Sequence, residues 1–144
     1  MLKINVKLLS DTAKIPTRAT EGSIGYDVSS DETVTLEPGE IKLVSTGISI
    51  EPNIIVGIMM YPRSGLSCKH GITLINSVAV IDPDYRGEIK VPLINNGKFS
   101  YTINKGDRIS QIVFHNIMCP QINEISEFSI KTDRNENGFG STGK

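Results

Sequence analysis

Two short segments of this 144-residue sequence carry side chains that could act on a phosphate group. The first, Pro62–Gly65 with the sequence PRSG, follows a long apolar run and precedes a possible short helix. A guanidinium and the backbone amides at a helix start could both face an anion there, which is the chemistry of a phosphate site. A strand-to-helix turn with a solvated arginine explains the same residues equally well, so both interpretations stay open.

The second segment, Asp82–Gly87 with the sequence DPDYRG, lies between two apolar stretches, and this pattern predicts a hairpin tip or a tight turn. Aspartates at turns are normally solvated and have no chemical role. The apolar lead-in Val78–Ile81 favours a role here, because it would hold Asp82 at the edge of the core. A carboxylate in that position can have its proton affinity and orientation tuned for general-base catalysis.

The C-terminal segment 131–144 is polar and rich in glycine, and it has too few apolar residues to order itself. A frayed terminus is the simplest interpretation. The stretch Gly138–Gly143, of sequence GFGSTG, favours a second interpretation, because its residue types form phosphate-binding backbone nests and Phe139 could stack on a base.

The histidines and cysteines do not suggest a metal site. His70, His115 and Cys68 each lack a second ligand at metal-binding spacing, which argues against structural zinc. No Gly-x-Ser-x-Gly motif is present, so covalent acyl transfer has no support. Magnesium brought in by a phosphorylated substrate is the metal that the sequence favours.

Short β-strands must position these segments. Apolar residues alternate from Leu2 to Leu8 and in four later stretches, whereas no helical periodicity develops. The four stretches are Val34 with Leu36; Ile41 with Leu43; Ile89, Val91 and Leu93; and Phe99, Tyr101 and Ile103. Strands this short and numerous predict an all-β sandwich or barrel, and one short helix is expected at Ser64–His70.

Two local signals refine the strand pattern. The pair Asn96-Gly97 predicts a hairpin between the alternating runs on either side of it. Pro92 falls within a strand pattern but has no N–H to donate, so it predicts an edge strand, a bulge or a strand facing away from a partner.

Length and charge limit the functional classes. A chain of 144 residues allows one domain with a real core. Its 15 basic and 16 acidic residues are dispersed, which argues against non-specific binding to nucleic acid. Two cysteines, no recognisable leader and no apolar run of about 20 residues predict a soluble intracellular protein, expected in the cytoplasm with the nucleus as an alternative, and no membrane association.

Five segments, in order along the chain, resemble the five motifs of the trimeric dUTP pyrophosphatases, or dUTPases. They are Ala19–Asp27 (ATEGSIGYD), Pro62–Ser67 (PRSGLS), Gly71–Gly97 around IDPDYRG, Gly106–Gln111 (GDRISQ) and Arg134–Gly143 (RNENGFGSTG). The resemblance implies an all-β distorted jelly-roll barrel of the β-clip type over residues 1–130 and a flexible arm over residues 131–144 that closes over the site. It also implies a homotrimer in which each active site takes motifs from different chains.

The resemblance further implies Mg2+-dependent hydrolysis of dUTP to dUMP and diphosphate, which keeps uracil out of DNA and supplies dUMP for thymidylate synthesis. Asp82 would activate the water that attacks the α-phosphorus, and Gln111 would position phosphate or water. Arg63, Ser64 and Gly65 would hold phosphate oxygens.

The substrate specificity implied by the resemblance depends on the segment around Asp82. Tyr85 would pack under the deoxyribose and leave no room for a 2′-hydroxyl. Asn76 and the backbone of Val80 and Ile81 would read the uracil edge in a narrow hairpin that excludes the thymine methyl. Lys90 would lie close to the base.

The metal and the arm complete the site that the resemblance implies. Asp27 would contact Mg2+ through water, while the triphosphate holds most of the ion. Arg134 would contact the γ-phosphate and Phe139 would cover the uracil. The remaining contacts of the arm would come from Gly140, Ser141 and Thr142.

The sequence departs from the family pattern in a few places. Ala79 stands where the family often has glycine, which puts the backbone around the uracil in doubt. Ser110 and Ile24 replace common alanines and are expected to be packing changes. Asp107 and Arg108 are expected to form a structural ion pair.

Two alternatives come from other functional classes. A dCTP deaminase shares the fold and uses a glutamate at the base, but Glu88 is the only glutamate near the predicted hairpin. A non-catalytic nucleotide-binding module on the same scaffold is the second alternative. Intact Asp82 and Arg63 favour catalysis over simple binding.

Overall fold

The computed structural model describes residues 1–136, and within them it has eleven short β-strands and one helix. The strands are β1 Ile4–Leu8, β2 Tyr26–Ser29, β3 Val34–Leu36, β4 Ile41–Val44, β5 Ile48–Pro52, β6 Gly57–Tyr61, β7 Ile72–Leu74, β8 Ala79–Ile81, β9 Val91–Asn95, β10 Tyr101–Ile103 and β11 Arg108–His115. The helix α1, Ser64–His70, follows β6. The predicted all-β class is confirmed, and the helix has the predicted bounds.

The strands form four antiparallel sheets around one core. Their orders are β1-β5, β3-β10, β2-β11-β6-β8 and β4-β9-β7. Each sheet contributes aliphatic side chains to the core, among which Leu36, Ile50, Met60 and Leu93 are almost fully buried. Burial alternates along β9, as expected for a strand with one face on the core. This arrangement is a distorted jelly roll.

The residues on either side of helix α1 have backbone conformations that define where it begins and ends. Arg63, directly before it, has an extended backbone with φ −98° and ψ 126°. Gly71 ends it in the left-handed region with φ 73°, and a Cβ at this position would lie 2.5 Å from the backbone nitrogen of Gly97. Lys69 and His70 lie in the last turn, where positive charge is favourable. The backbone conformations of Arg63 and Gly71 therefore bound the helix on both sides.

The structure contradicts the hairpin predicted at Asn96-Gly97, and of the two alternatives predicted for Asp82–Gly87 it has the tight turn. Asn96-Gly97 follows β9, but β9 pairs with β4 and β7, whereas β10 pairs with β3. Gly97 instead packs against the end of α1, because a Cβ there would lie 2.5 Å from the carbonyl oxygen of His70. The segment Asp82–Gly87 connects β8 to β9, which belong to different sheets. Only its tight turn is confirmed, with the Tyr85 N–H donating to the Asp82 carbonyl at 3.1 Å.

Pro92 lies in the middle strand of the sheet β4-β9-β7, so the predicted edge position is wrong. In an antiparallel strand the nitrogen and carbonyl of one residue face the same neighbour. The Pro92 carbonyl accepts from Ile75, which lies one residue beyond the end of β7. The missing N–H therefore faces Ile75, just past the last residue of β7, so the assigned strand pair β7–β9 loses no hydrogen bond.

Residues 116–136 follow the last strand and have no regular secondary structure. Their large apolar side chains are exposed; these are Ile117, Met118, Ile122, Ile125, Phe128 and Ile130. The boundary at residue 130 between domain and arm stays a prediction. Among the described residues, no helix has the length and apolar character needed to cross a membrane.

Candidate functional site

A cavity of about 420 Å³ lies where β2, β11 and the start of α1 meet. We call it the arginine cavity, and its lining includes Asp27, Arg63, Ser64, Gly65 and Gln111. The register of the central sheet brings these residues together, because Gln111 on β11 pairs with Asp27 on β2 and with the last residue of β6. All the predicted phosphate-binding and metal-contacting residues of the strands and helix thus share one cavity.

Asp27 holds two guanidinium groups at the arginine cavity. Its Oδ1 accepts from Nε of Arg63 and its Oδ2 accepts from Arg108, each at 3.0 Å, and its side chain is only 12% exposed. The predicted pair between Asp107 and Arg108 is wrong. Asp107 accepts from the backbone N–H of Asn104 at 2.8 Å and closes the turn before β11. Two positive groups on one carboxylate leave a net positive charge that favours an anion.

Gln111 is fixed on the wall of the arginine cavity. Its side-chain nitrogen donates to the carbonyl of Pro62 at 3.0 Å. Gly25 gives the amide its room, since a Cβ there would overlap the amide oxygen and lie 3.0 Å from Cδ. The amide therefore has little freedom, as expected for a group that positions a ligand.

A second cavity, of about 550 Å³, lies beside β8 and the segment that follows it. We call it the Tyr85 cavity. It contains six predicted site residues, namely Asn76, Val80, Ile81, Asp82, Tyr85 and Lys90. The rest of its lining is mainly apolar and consists of Leu43, Met60, Ala79, Glu88, Ile89 and Pro92. A mostly apolar pocket with a few polar groups suits a flat heteroaromatic base.

Asp82 is exposed in the isolated chain. Of the apolar lead-in, Ala79 is buried and Ile81 is half-buried, whereas Val78 and Val80 are exposed. The lead-in thus reaches the core through Ala79 and Ile81, and Asp82 follows it as an exposed residue. The tight turn to Tyr85 holds the backbone of Asp82.

Sequence reasoning missed two charged residues of the site. The pairing of Arg108 with Asp107 is an expectation from neighbouring residues, whereas its actual partner Asp27 lies on β2, 81 residues away in sequence. The sequence gives Glu88 a role only in the alternative deaminase interpretation. Its Oε1 accepts from the backbone N–H groups of Thr46 and Gly47, at 3.2 and 2.9 Å. No local sequence signal could reveal this contact, because the partners lie about 40 residues away.

Lys90 lines the Tyr85 cavity beside Glu88. The Lys90 Nζ lies 3.5 Å from Oε2 of Glu88. The lysine is exposed, so this pair has little stabilising effect and leaves the ammonium able to reach a ligand.

The arginine cavity and the Tyr85 cavity share no lining residue. Arg134 is described but lines neither of them. The predicted contacts of Phe139, Gly140, Ser141 and Thr142 lie outside the described residues. Apart from Arg134, the predicted residues of the described chain thus form two half-sites, one suited to an anion and one suited to a ring.

The arginine cavity fits magnesium only as part of a bound phosphate compound. In residues 1–136 no three His, Cys, Asp or Glu side chains come together as a metal cage. Asp27 has both oxygens occupied by arginines but keeps lone pairs that can accept from a metal-bound water. Mg2+ commonly binds through one or two carboxylates, several waters and substrate phosphates, which matches this donor set.

Comparison with known proteins gives a consistent result. The family model described as dUTPase matches residues 11–143. Deoxyuridine 5'-triphosphate nucleotidohydrolase of Nautilia profundicola is 44% identical over 143 residues, covering 99% of this chain and 100% of the relative.

Solved structures agree with the sequence matches. The dUTPase of Staphylococcus bacteriophage 80alpha with dUPNHPP is 30% identical, with a TM-score of 0.91 and 99% of each chain covered. The D95N mutant dUTPase of phage phi11 of S. aureus, described with a structural Mg(II) ion, is 27% identical, with a TM-score of 0.82, covering 89% of this chain and 99% of that one.

Proposed function

The chain belongs to the dUTPase family, and on that premise we propose that it hydrolyses dUTP to dUMP and diphosphate by Mg2+-dependent attack of water on the α-phosphorus. The observation that carries the proposal is the division of the described site into a cationic cavity and a mostly apolar one. A nucleoside triphosphate has the same two parts, a chain of phosphates and a flat base. The reaction removes dUTP as a source of uracil in DNA and supplies dUMP for thymidylate synthesis.

Asp82 is the group we propose to activate the attacking water. A carboxylate next to the sugar-facing Tyr85 would lie near the α-phosphate of a bound nucleotide, and it can accept the proton that water loses. No covalent intermediate is required, so the reaction is direct hydrolysis. Gln111 would orient phosphate or water through the amide that Pro62 and Gly25 hold in place.

Arg63, Ser64 and Gly65 are proposed to bind the phosphate oxygens. All three line the arginine cavity at the start of α1, where backbone N–H groups and one guanidinium would be available to phosphate oxygens. When Mg2+ is bound with the triphosphate, it supplies Lewis-acid stabilisation of the developing charge. Asp27 would accept from water on that ion while it keeps Arg63 in place.

The Tyr85 cavity supports selection of deoxyuridine. Asn76 and the backbone of Val80 and Ile81 border the space where a pyrimidine edge would lie. Cytosine would present a hydrogen-bond donor where the site already offers a donor. A buried donor without an acceptor costs about 1–3 kcal/mol. Tyr85 would occupy the position of a 2′-hydroxyl and so exclude UTP, while Lys90 would lie near the base.

A homotrimer with shared sites is proposed for the assembly. The outer face of the sheet β4-β9-β7 is apolar, with Ile41, Leu43 and Ile75 about half exposed or more. The register places Ile41 beside Ile94 and Leu43 beside Pro92 on this face. Leu43 and Pro92 also line the Tyr85 cavity, so a second copy that covers the face would border the base.

Closure of the site is assigned to the arm, residues 131–144. Arg134 would contact the γ-phosphate and Phe139 would cover the uracil. Gly140, Ser141 and Thr142 would add amide and hydroxyl contacts. The glycine-rich composition supports this role, because such a segment becomes ordered at little steric cost when a ligand is present.

The test is diphosphate release from dUTP, dCTP, dTTP and UTP in parallel, with Mg2+ and then with EDTA. Release from dUTP alone, abolished by EDTA, is the expected result. Tight dUTP binding without release would show a non-catalytic nucleotide-binding module instead. Ammonia release from dCTP would show a deaminase.

A further inference from the structure

We infer that Gly87 is a specificity-determining residue, because the absence of a side chain there sets the position of the Tyr85 ring. The inference rests on the proposed role of Tyr85 at the deoxyribose. It goes beyond that role because Gly87 itself touches no substrate.

The ring of Tyr85 lies over Gly87. A Cβ built on Gly87 would lie 2.5 Å from Cζ and 2.9 Å from Cε2 of Tyr85, and closer still to the hydroxyl oxygen. All three nearest atoms belong to that ring. Gly87 does not have a positive φ, so its backbone would accept alanine and the ring is the obstacle.

The backbone on both sides of Gly87 is held to the body of the domain. Ser49 Oγ donates to the Arg86 carbonyl at 2.8 Å. On the other side, the N–H of Gly47, in the β4–β5 connection, donates to the Glu88 carboxylate at 2.9 Å. The Ile89 N–H donates to the Ile48 carbonyl at 2.8 Å. A methyl group at position 87 therefore cannot be relieved by movement of the backbone.

The Tyr85 ring is the part that can move. It is 48% exposed, and its hydroxyl donates to the Glu88 carbonyl at 3.1 Å. This one hydrogen bond and the contact with Gly87 fix where the ring lies in the cavity. A methyl group at position 87 would break this hydrogen bond and displace the ring. A 2′-hydroxyl could then occupy the space that the ring leaves.

The experiment compares G87A, Y85A and the double variant by kcat/KM for dUTP and for UTP, with circular dichroism to verify folding. We expect G87A to lower the dUTP:UTP ratio by about tenfold, the scale on which a misplaced wall loses discrimination. The double variant should have the same ratio as Y85A, because Gly87 acts through the ring. Y85F keeps the ring against Gly87 and should keep most of the selectivity.

Three outcomes would overturn the inference. One is a folded G87A enzyme with the wild-type dUTP:UTP ratio. Another is a double variant whose loss is the sum of the two single losses, since Gly87 would then act independently of the ring. The third is a Y85A variant that keeps the wild-type ratio. This outcome would refute the proposed contact of Tyr85 with the sugar, whereas the first two would refute only the role of Gly87.

Discussion

At the scale of single residues, the site depends on small groups that leave room for larger ones. Gly25 makes room for the amide of Gln111, and Gly87 makes room for the ring of Tyr85. Asp27 joins two arginines that come from different parts of the chain. The geometry of this site therefore depends on contacts between neighbouring residues as well as on the residues that would touch a substrate.

Asp82→Asn should keep dUTP binding but lose turnover, because an amide cannot accept the proton of the attacking water. We expect kcat to fall by about 100- to 10,000-fold with KM little changed. The measurement is steady-state diphosphate release together with dUTP titration by calorimetry. Asp84→Asn, two residues away in the same exposed turn, is the matched control and should keep most activity. Near-normal turnover by Asp82→Asn would refute the general-base role.

At the scale of elements, the loops are tied to strands by polar contacts that span long sequence separations. Asp31, after β2, accepts from Ser10 Oγ at 2.5 Å and from Thr12 Oγ1 at 2.6 Å. These hydrogen bonds, that of Ser10 first, hold the pKa of Asp31 below its ordinary value. The pair of contacts fastens the connection after β1 to the end of β2.

This tether gives a pH-dependent stability. Because the folded pKa of Asp31 is lowered, its contribution is fully present above the ordinary aspartate pKa of about 3.9 and is lost as the pH falls through the folded value. Asp31→Asn should lower Tm at pH 7, and its difference from the wild type should shrink as the pH falls below about 4. Asp11→Asn, an exposed carboxylate in the same loop, is the control. A constant difference across this range would contradict the prediction.

The sequence predicted elements better than their pairing. Periodicity located β1, β3, β4, β9 and β10, and the apolar run and PRSG segment located α1. Periodicity could not show that Asn96-Gly97 forms no hairpin, because Gly97 instead contacts the end of a helix about 25 residues earlier in the sequence. The ion pair of Arg108 was missed for the same reason, since Asp27 lies 81 residues away. Local patterns do not encode such partners.

The motif residues show the same limit. Their order identified the candidate site, and the described ones other than Arg134 do fall into two cavities. Their separation into cavities without a common residue could not be predicted, because it depends on how four sheets pack.

At the scale of the whole molecule, the exposed apolar face of the sheet β4-β9-β7 is the proposed contact between subunits. A charge placed on this face is expected to disrupt assembly. Ile41→Asp places a charge on that face and outside the lining of the Tyr85 cavity. We expect the proposed trimer to separate into monomers, measured by light scattering after size exclusion, because an unpaired charge in an interface is costly. Phe99→Asp, an exposed aromatic in the loop after β9, should remain trimeric. A trimeric Ile41→Asp would exclude this face as the interface.

Removal of residues 131–144 should separate assembly from catalysis. We expect kcat/KM to fall by about 100-fold or more, since the proposed phosphate contacts of the arm are lost together, while the proposed trimer persists. Light scattering and diphosphate release on the same sample measure both effects, and removal of Lys144 alone is the control. An active truncated enzyme would show that the arm has no part in the reaction.

The division of the site into two cavities has a genetic consequence. If each working site joins the arginine cavity of one chain to the Tyr85 cavity of another, two inactive alleles can rescue each other. An allele altered at Arg63 and an allele altered at Asp82 would, when expressed together, give mixed trimers in which some sites have both halves intact. The same mixing would let a single defective allele poison assemblies that also contain normal chains.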